Sequence, residues 1–167
     1  MSTSGASETP RSLAVFDIDG VLADVTHRLH HLETRPKDWR GFFATASADP
    51  VLETGALLAA ELAADHEVVY LTGRPAHLRQ VTASWIERHQ LPPGRLLMRR
   101  RRDFRPARVV KLELLRQLAA DQPVDVVVDD DPEVVAALRA AGFAVMLATW
   151  ATRSAPLHEG QEREGRT

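Results

Sequence analysis

The sequence predicts an α/β protein with a doubly wound parallel sheet, and three observations lead to that prediction. Short apolar runs alternate with segments of helical periodicity, which is typical of parallel strands joined by crossover helices. The first run, at 13–16, is continuously apolar, as strands buried on both faces are. The stretch between the first two runs is long enough to add a small helical cap, which we place at about residues 23–55.

Five strands are predicted from the apolar runs at 13–16, 67–72, 95–98, 124–128 and 143–147. Helical spacing predicts further segments at 27–32, 57–64, 76–89 and 107–120. Asp38 is expected to cap a helix that places Trp39, Phe42 and Phe43 on one face. Asp131 and Pro132 suit the start of another helix, which ends at Gly142.

Composition places these elements in one domain of an ordinary globular protein. The 167 residues are 44% hydrophobic and 26% charged, with a net charge of −2, and none of these values indicates disorder or a general affinity for nucleic acid. Cysteine is absent, which excludes disulfides, thiolate metal sites and a cysteine nucleophile. We predict a domain over 11–151 between disordered tails at 1–10 and 152–167. No apolar run suggests a signal peptide or a membrane span, so the expected location is the cytoplasm.

Polar residues stand where three of the predicted strands end. They are Asp17 and Asp19, then Thr72 and Arg74, then Asp129 and Asp130. In a parallel sheet, ligands bind in the crevice at the carboxyl ends of the strands. Each aspartate pair alone is also compatible with a turn or a helix cap, but their convergence at one edge favours a functional site.

Clustered carboxylates without histidine or cysteine suit a hard cation, and Mg²⁺ is the expected cofactor. One carboxylate can attack phosphorus and form an aspartyl-phosphate, while another donates and accepts protons. Thr72, Arg74 and Lys111 are candidates to neutralise the charge of a phosphoryl group.

These residues resemble the motifs of the haloacid dehalogenase superfamily. Asp17-Ile-Asp-Gly20 is similar to its first motif, Thr72 with Gly73 and Arg74 to its second, Lys111 to its third, and the acidic pair at 129–130 to its fourth. The resemblance implies a Rossmann-like fold, with Asp17 as nucleophile and Asp19 as general acid and base. It also implies phosphoryl binding by Thr72 and charge balance by Lys111. Asp17, Asp19, Asp129 and Asp130 form the implied Mg²⁺ site, and Asp19 would contribute its backbone carbonyl.

A narrower resemblance connects residues 71–111 with the phosphatase domains of polynucleotide kinase/phosphatases. It implies hydrolysis of 3′-phosphates on nucleotides or polynucleotide ends, with Thr72, Gly73, Arg74 and Arg99 binding substrate. The chain contains no GxxxxGK[ST] sequence, which a kinase half would require. A stand-alone phosphatase could also act on smaller phosphomonoesters.

Several features leave alternatives open. The arginine-rich run at 99–108 suits either phosphate contacts or a solvated loop, and Trp39, Phe42 and Phe43 suit either cap packing or base stacking. The alternative function is a regulatory module that binds phosphorylated ligands without turning them over, or a receiver-like domain. The complete set of catalytic residue types favours the enzyme.

Overall fold

The computed structural model describes residues 10–167, so the predicted tail at 1–10 lies almost entirely outside the described residues. A single parallel sheet is formed by β1 Leu13–Phe16, β2 Glu67–Pro75, β3 Gly94–Arg99, β4 Val124–Asp129 and β5 Val145–Leu147. The strands lie in the order β3-β2-β1-β4-β5. The predicted doubly wound sheet is therefore confirmed.

Helices cover both faces of the sheet. They are α1 Trp39–Ala44, α2 Glu53–Leu62, α3 Arg79–Arg88, α4 Ala107–Asp121, α5 Pro132–Ala140 and α6 Ala155–Glu159. Segments of 3₁₀ helix span Thr26–Leu32, Ala46–Ala48 and Ala76–Leu78, and a π-helical turn spans Gly160–Glu164. None of the helices within residues 10–167 has the length and apolar character needed to cross a membrane.

Two apolar clusters hold these layers together, because successive strand residues point to opposite faces. Ala14 and Phe16 of β1 belong to a cluster that includes Ala59 of α2 and Trp85 of α3. The alternate β1 residues Leu13 and Val15 belong to the second cluster, with residues of α4 and α5. The core therefore fills the space on each side of β1.

The order of the strands creates a switch point between β1 and β4. From β1 the chain continues to β2 and β3 on one side, and it then returns through α4 to β4 on the other side of β1. A crevice opens at the carboxyl ends of the strands where the direction of winding changes. Asp17 follows β1 and Asp130 follows β4, so both acidic motifs lie at this point.

The segment between β1 and α2 contains α1 and the 3₁₀-helical stretches Thr26–Leu32 and Ala46–Ala48. The Asp38 carboxylate accepts a hydrogen bond of 2.8 Å from the amide of Gly41 and caps α1, as predicted. A small apolar cluster contains Leu32 and Phe42 of this segment together with Leu157 of α6. Its division from the core at residues 23–55 stays a prediction.

The prediction of a disordered tail at 152–167 is wrong for the part beyond Ser154. The Ser154 side chain accepts a hydrogen bond from the amide of Leu157, and Pro156 lies in the first turn of α6. Leu157 and Thr167 are buried. The residues are polar, as disordered tails often are, but here their charges pair with distant parts of the chain.

Candidate active site

Three aspartates from two neighbouring strands meet at the switch point. Asp17 follows β1, Asp129 ends β4 and Asp130 follows it. One carboxylate oxygen from each lies within 4.8 Å of the other two. All three side chains are buried, so water screens their mutual repulsion poorly.

Gly20 allows the loop after β1 to approach Asp130. Its φ of +78° lies in the left-handed region, and a Cβ placed there would be 2.2 Å from Oδ2 of Asp130. Any larger residue would displace that carboxylate and strain the turn. Gly20 therefore keeps the acidic group compact.

Lys111 supplies the positive charge nearest to this acidic group. It lies in α4, and its Nζ is 2.9 Å from Oδ2 of Asp17 and 2.6 Å from Oδ2 of Asp129. Burial alone would lower the pKa of Lys111, but Asp129 and Asp17 outweigh burial and raise it above its ordinary value. Lys111 is thus held as an ammonium ion between the two carboxylates.

The acidic group retains an excess of negative charge despite Lys111. Burial raises the pKa of Asp17 well above its usual range; Lys111 opposes this rise, while Asp129 and Asp130 add to it. Among the residues described, Oδ1 of Asp130 is buried without a hydrogen-bond partner. A buried, unpartnered carboxylate oxygen in an all-oxygen group fits a hard divalent cation such as Mg²⁺.

Asp19 lies apart from this group, and two arginines bind its side chain. Arg28 Nη2 is 3.0 Å from Oδ1 of Asp19, and Arg74 Nη2 is 2.5 Å from the same oxygen. Burial alone would raise the pKa of Asp19, but Arg74 and Arg28 outweigh it and lower that pKa to about 2. Of the four aspartates predicted to form the metal site, the structure therefore groups the side chains of three.

Asp49 completes the surroundings of Asp19 and was not predicted. Its carboxylate accepts hydrogen bonds of 2.7 Å from Arg28 Nε, Arg28 Nη2 and Arg74 Nη2. The indole of Trp85 donates to its backbone carbonyl, and all of these side chains are buried. Asp19, Asp49, Arg28 and Arg74 thus form a balanced network of two carboxylates and two guanidiniums, which we call the guanidinium network.

Sequence reasoning missed Arg28 and Asp49 because no local pattern identifies them. Arg28 stands in a stretch with three histidines, and Asp49 precedes a proline at the end of the helical insertion. Their partners lie on other elements, 25 positions away in the case of Asp49 and Arg74 and 36 in the case of Asp49 and Trp85.

The predicted phosphoryl-binding residues occupy the end of β2. Thr72 is buried, and its Oγ1 accepts a hydrogen bond of 3.2 Å from the amide of Arg74. Arg99 is buried beside them, but its guanidinium donates to the backbone carbonyls of Gly73, Asp103, Arg105 and Thr167. In this structure Arg99 therefore fixes the loop that follows β3, and its role in substrate binding stays a prediction.

A cleft of about 510 Å³ lies beside Arg99 and Pro75. Aromatic side chains and cations contribute to its walls: Trp39, Phe43, His77 and Phe104, with Arg40, Arg100, Arg101, Arg102 and Arg166. Trp39 and Phe43 stack with ring centroids 5.8 Å apart. Parts of the two features for which the sequence left alternatives open therefore line one cavity: Arg99 to Arg102 of the arginine run, and Trp39 and Phe43 of the aromatic residues. Phe42 is instead buried in the apolar cluster with Leu32 and Leu157.

Comparison with known structures first defines the class of protein. A haloacid dehalogenase-like hydrolase from Streptococcus pneumoniae, SP0104, superposes with a TM-score of 0.59 at 16% identity, covering 92% of each chain. The Pnkp1/Rnl/Hen1 RNA repair complex contains a chain that superposes with a TM-score of 0.72 at 22% identity. That match covers 86% of the present chain and 44% of the repair chain, so this chain spans less than half of its length. The fold is that of the haloacid dehalogenase-like hydrolases.

The family follows from the sequence match. Residues 11–149 match the family model of the polynucleotide kinase PNKP phosphatase domain. The chain belongs to this family and is a phosphatase of the haloacid dehalogenase type. No curated protein matches the chain.

Proposed function

We propose that this chain is a Mg²⁺-dependent phosphomonoester hydrolase that forms an aspartyl-phosphate on Asp17. We further propose that its substrates are the 3′-phosphates of nucleotides or polynucleotide ends. The observation that carries the mechanism is the position of Lys111, whose Nζ is 2.9 Å from Asp17 and 2.6 Å from Asp129. The ammonium ion of Lys111 can neutralise charge on both the attacking carboxylate and the incoming phosphoryl group.

The acidic group would hold the metal ion. Asp17, Asp129 and Asp130 offer carboxylate oxygens, and Oδ1 of Asp130 has no other partner among the described residues. When bound, Mg²⁺ would neutralise charge on the phosphoryl oxygens and on the attacking carboxylate.

The reaction would proceed in two displacements. A carboxylate oxygen of Asp17 forms a bond to phosphorus while the ester P–O bond breaks, and the leaving oxygen takes a proton from Asp19. A water molecule then attacks the phosphorus and gives its proton to Asp19. The bond between phosphorus and Asp17 breaks, which releases inorganic phosphate and restores both aspartates.

The guanidinium network sets the protonation state of Asp19. In this structure Arg74 and Arg28 hold Asp19 as a carboxylate, with a pKa of about 2. That form suits the second step, in which Asp19 accepts a proton. For the first step Asp19 must leave the arginines and gain a proton, and a bound phosphoryl group would compete for the same guanidiniums.

The cleft supports a polynucleotide rather than only a small substrate. Single-stranded nucleic acid is typically bound by cations along its backbone and by aromatic side chains that stack on its bases. The cleft offers both kinds of residue, and Pro75 and Arg99 connect it to the end of β2. The arginines at 100–102 are the candidates for phosphate contacts.

The test is a measurement of phosphate release with Mg²⁺ and with EDTA. The substrates are p-nitrophenyl phosphate, 3′- and 5′-nucleotides, and oligonucleotides with a phosphate at either end. We expect release that requires Mg²⁺ and prefers 3′-phosphates, with the Asp17→Asn variant as the blank. Preference for 5′-phosphates or small esters would contradict the substrate assignment, and undiminished rates in EDTA would contradict the role of the metal.

A triple variant tests whether the cleft binds nucleic acid. Replacement of Arg100, Arg101 and Arg102 by glutamine should raise KM for a 3′-phosphorylated oligonucleotide and reduce its salt dependence by a slope of about 2. The rate with p-nitrophenyl phosphate should not change. The exposed Arg116→Gln on α4 is the control, and equal losses with both substrates would show that the run does not bind nucleic acid.

A further inference from the structure

Residues 155–167, which we call the strap, cross the carboxyl edge of the sheet. At one end, His158 Nε2 lies 3.5 Å from Oδ2 of Asp130, which follows β4. At the other end, the carbonyl oxygen of Thr167 accepts a hydrogen bond of 3.1 Å from Arg99 Nη2, beside Gly73 of β2. Because β1 lies between β4 and β2, the strap is attached on either side of the strand that Asp17 follows.

The site beneath the strap is closed to solvent. Asp17 is only 3% exposed, and Thr72 and Lys111 are exposed no more than 2%. A phosphomonoester must bring its phosphorus atom to about 3–3.5 Å from the attacking oxygen. A substrate therefore cannot reach Asp17 unless some covering segment moves.

The end of the strap presses on the predicted phosphoryl-binding loop. A Cβ placed on Gly73 would lie 1.9 Å from the carbonyl carbon of Thr167. Gly165 and Arg166 also form part of the wall of the cleft, and the Arg166 guanidinium lies 4.7 Å from the ring centroid of Phe104. Residues 165–167 thus extend from the wall of the cleft to Gly73.

Acidic side chains attach the strap to two cations, Lys37 just before α1 and Arg108 in α4. Lys37 Nζ is 3.0 Å from Glu159 and 2.5 Å from Glu164, and the indole of Trp39 donates to Glu164. The guanidinium and the backbone amide of Arg108 both donate to Glu162. Only Leu157 of the strap belongs to an apolar cluster. Partly exposed ion pairs are weak and are screened by salt, so a polyanion can exchange with them.

We propose that the strap is an intramolecular competitor of the phosphorylated substrate. Its carboxylates occupy Lys37 and Arg108, its last residues cover Gly73, and the substrate binds as the strap leaves. The proposal rests on the proposed function, because it is the phosphates of the substrate that replace the strap carboxylates. Departure of residues 165–167 would also open Gly73 to the cleft.

The first experiment measures binding without turnover. A fluorescein-labelled, 3′-phosphorylated single-stranded DNA is titrated with protein in EDTA. The variant Glu162→Gln/Glu164→Gln, which keeps Leu157 in place, should bind roughly fivefold more tightly than the unmodified protein, as expected for the loss of weak charged contacts. The control Glu53→Gln/Glu61→Gln makes the same charge change on exposed residues of α2, and its affinity should not change. Equal gains in both variants would mean that only net charge matters and would overturn the proposal.

The second experiment follows the strap itself by tryptic cleavage after Arg163, whose side chain is 80% exposed. The oligonucleotide should accelerate this cleavage in the unmodified protein, and the double strap variant should be cleaved faster without it. Protection by the oligonucleotide would show that the strap closes on the substrate as a lid and would overturn competition. Thermal unfolding of each variant verifies that cleavage reports the strap and not global unfolding.

The outcomes separate this proposal from the proposed function. If phosphate release follows the expected pattern while affinity and cleavage are unaltered in the strap variant, the competitor role fails and the hydrolase stands. If affinity and cleavage change as expected but no substrate is hydrolysed, the hydrolase fails while the strap remains a competitor of anionic ligands.

Discussion

The two charged regions at the carboxyl edge of the sheet are built in opposite ways. The acidic group contains three buried carboxylates, and Lys111 is the ammonium ion that contacts it. The guanidinium network contains two carboxylates and two guanidiniums, which hydrogen-bond to each other. One region is therefore left with negative charge that a cation can balance, and the other is already neutral.

The acidic group is therefore suited to bind a cation, whereas the guanidinium network holds its own side chains in place. Unbalanced buried charge is costly unless a ligand or a metal compensates for it. Balanced buried charge is stable only while every member is present. Removing a member should therefore affect function in the first region and stability in the second, where loss of Asp19 would also remove the proposed general acid and base.

The largest expected effect is the loss of activity in Asp17→Asn. The amide cannot attack phosphorus, so turnover should fall by at least about a thousandfold, while the fold is kept because a repelling charge is removed. Phosphate release and thermal unfolding measure the two parts. The exposed Asp121→Asn at the end of α4 is the control. Turnover within tenfold of the unmodified protein, after mass spectrometry excludes reversion to Asp, would contradict the assignment of Asp17.

The next effect is on stability, in the guanidinium network. Asp49→Ala leaves two buried guanidiniums with Asp19 alone, and we expect a loss of about 3–5 kcal/mol in the free energy of unfolding. Denaturant titration measures it, with Asp121→Ala as the control.

A double variant tests whether charge balance is the cause. Arg28→Met combined with Asp49→Leu leaves Arg74 and Asp19 as a matched pair, so it should cost less than Asp49→Ala alone. If the double variant loses as much stability as Asp49→Ala or more, packing and not charge dominates at this position.

The acidic group could be predicted from sequence, whereas the guanidinium network could not. Asp17 and Asp129 stand at the ends of apolar runs, and strand ends in a parallel sheet converge by topology. Arg28 and Asp49 lie in the helical insertion, where the position of a side chain depends on how the segment folds back over the sheet. Their pairing follows from tertiary packing, which no local period encodes.

The contacts of the strap could not be predicted from the sequence either. Lys37 pairs with Glu159 and Glu164 across more than 120 positions, and in the sequence each of these residues resembles a solvated surface charge. Arg99 differs again, because its burial follows from β3 but its carbonyl partners depend on the loops around it. Residue type and strand position were thus predictable, and the partners of long charged side chains were not.

The third expected effect is stabilisation of the acidic group by Mg²⁺. Mg²⁺ at a hundred times its dissociation constant should stabilise the protein by about 2.7 kcal/mol, measured as a rise in melting temperature. Asp130→Asn should remove most of this rise, because it removes charge and the unpartnered oxygen from the acidic group. Asp49→Ala, although less stable, should keep it. A Mg²⁺-dependent rise that survives in Asp130→Asn would place the cation elsewhere.

The smallest effect is the pH dependence of stability in EDTA, and its sign differs between the two regions. The folded-state pKa of Asp17 is raised by burial, so stability is greatest below the unfolded pKa near 4 and falls as pH rises toward the folded value. Asp17→Asn should therefore be more stable than the unmodified protein at pH 7. This advantage should shrink toward pH 4 and disappear when Mg²⁺ is added.

Asp19→Asn should behave in the reverse manner, because the folded-state pKa of Asp19 is lowered to about 2. A lowered pKa contributes stability above the unfolded value near 4, and this stability is lost as pH falls through 2. Asp19→Asn should thus be less stable than the unmodified protein at pH 7, and the difference should narrow below pH 4. Urea titrations of both variants from pH 3 to 7 in EDTA measure the two slopes together. Slopes of the same sign would mean that the two aspartates share one electrostatic environment, and the distinction between an unbalanced and a balanced region would not hold.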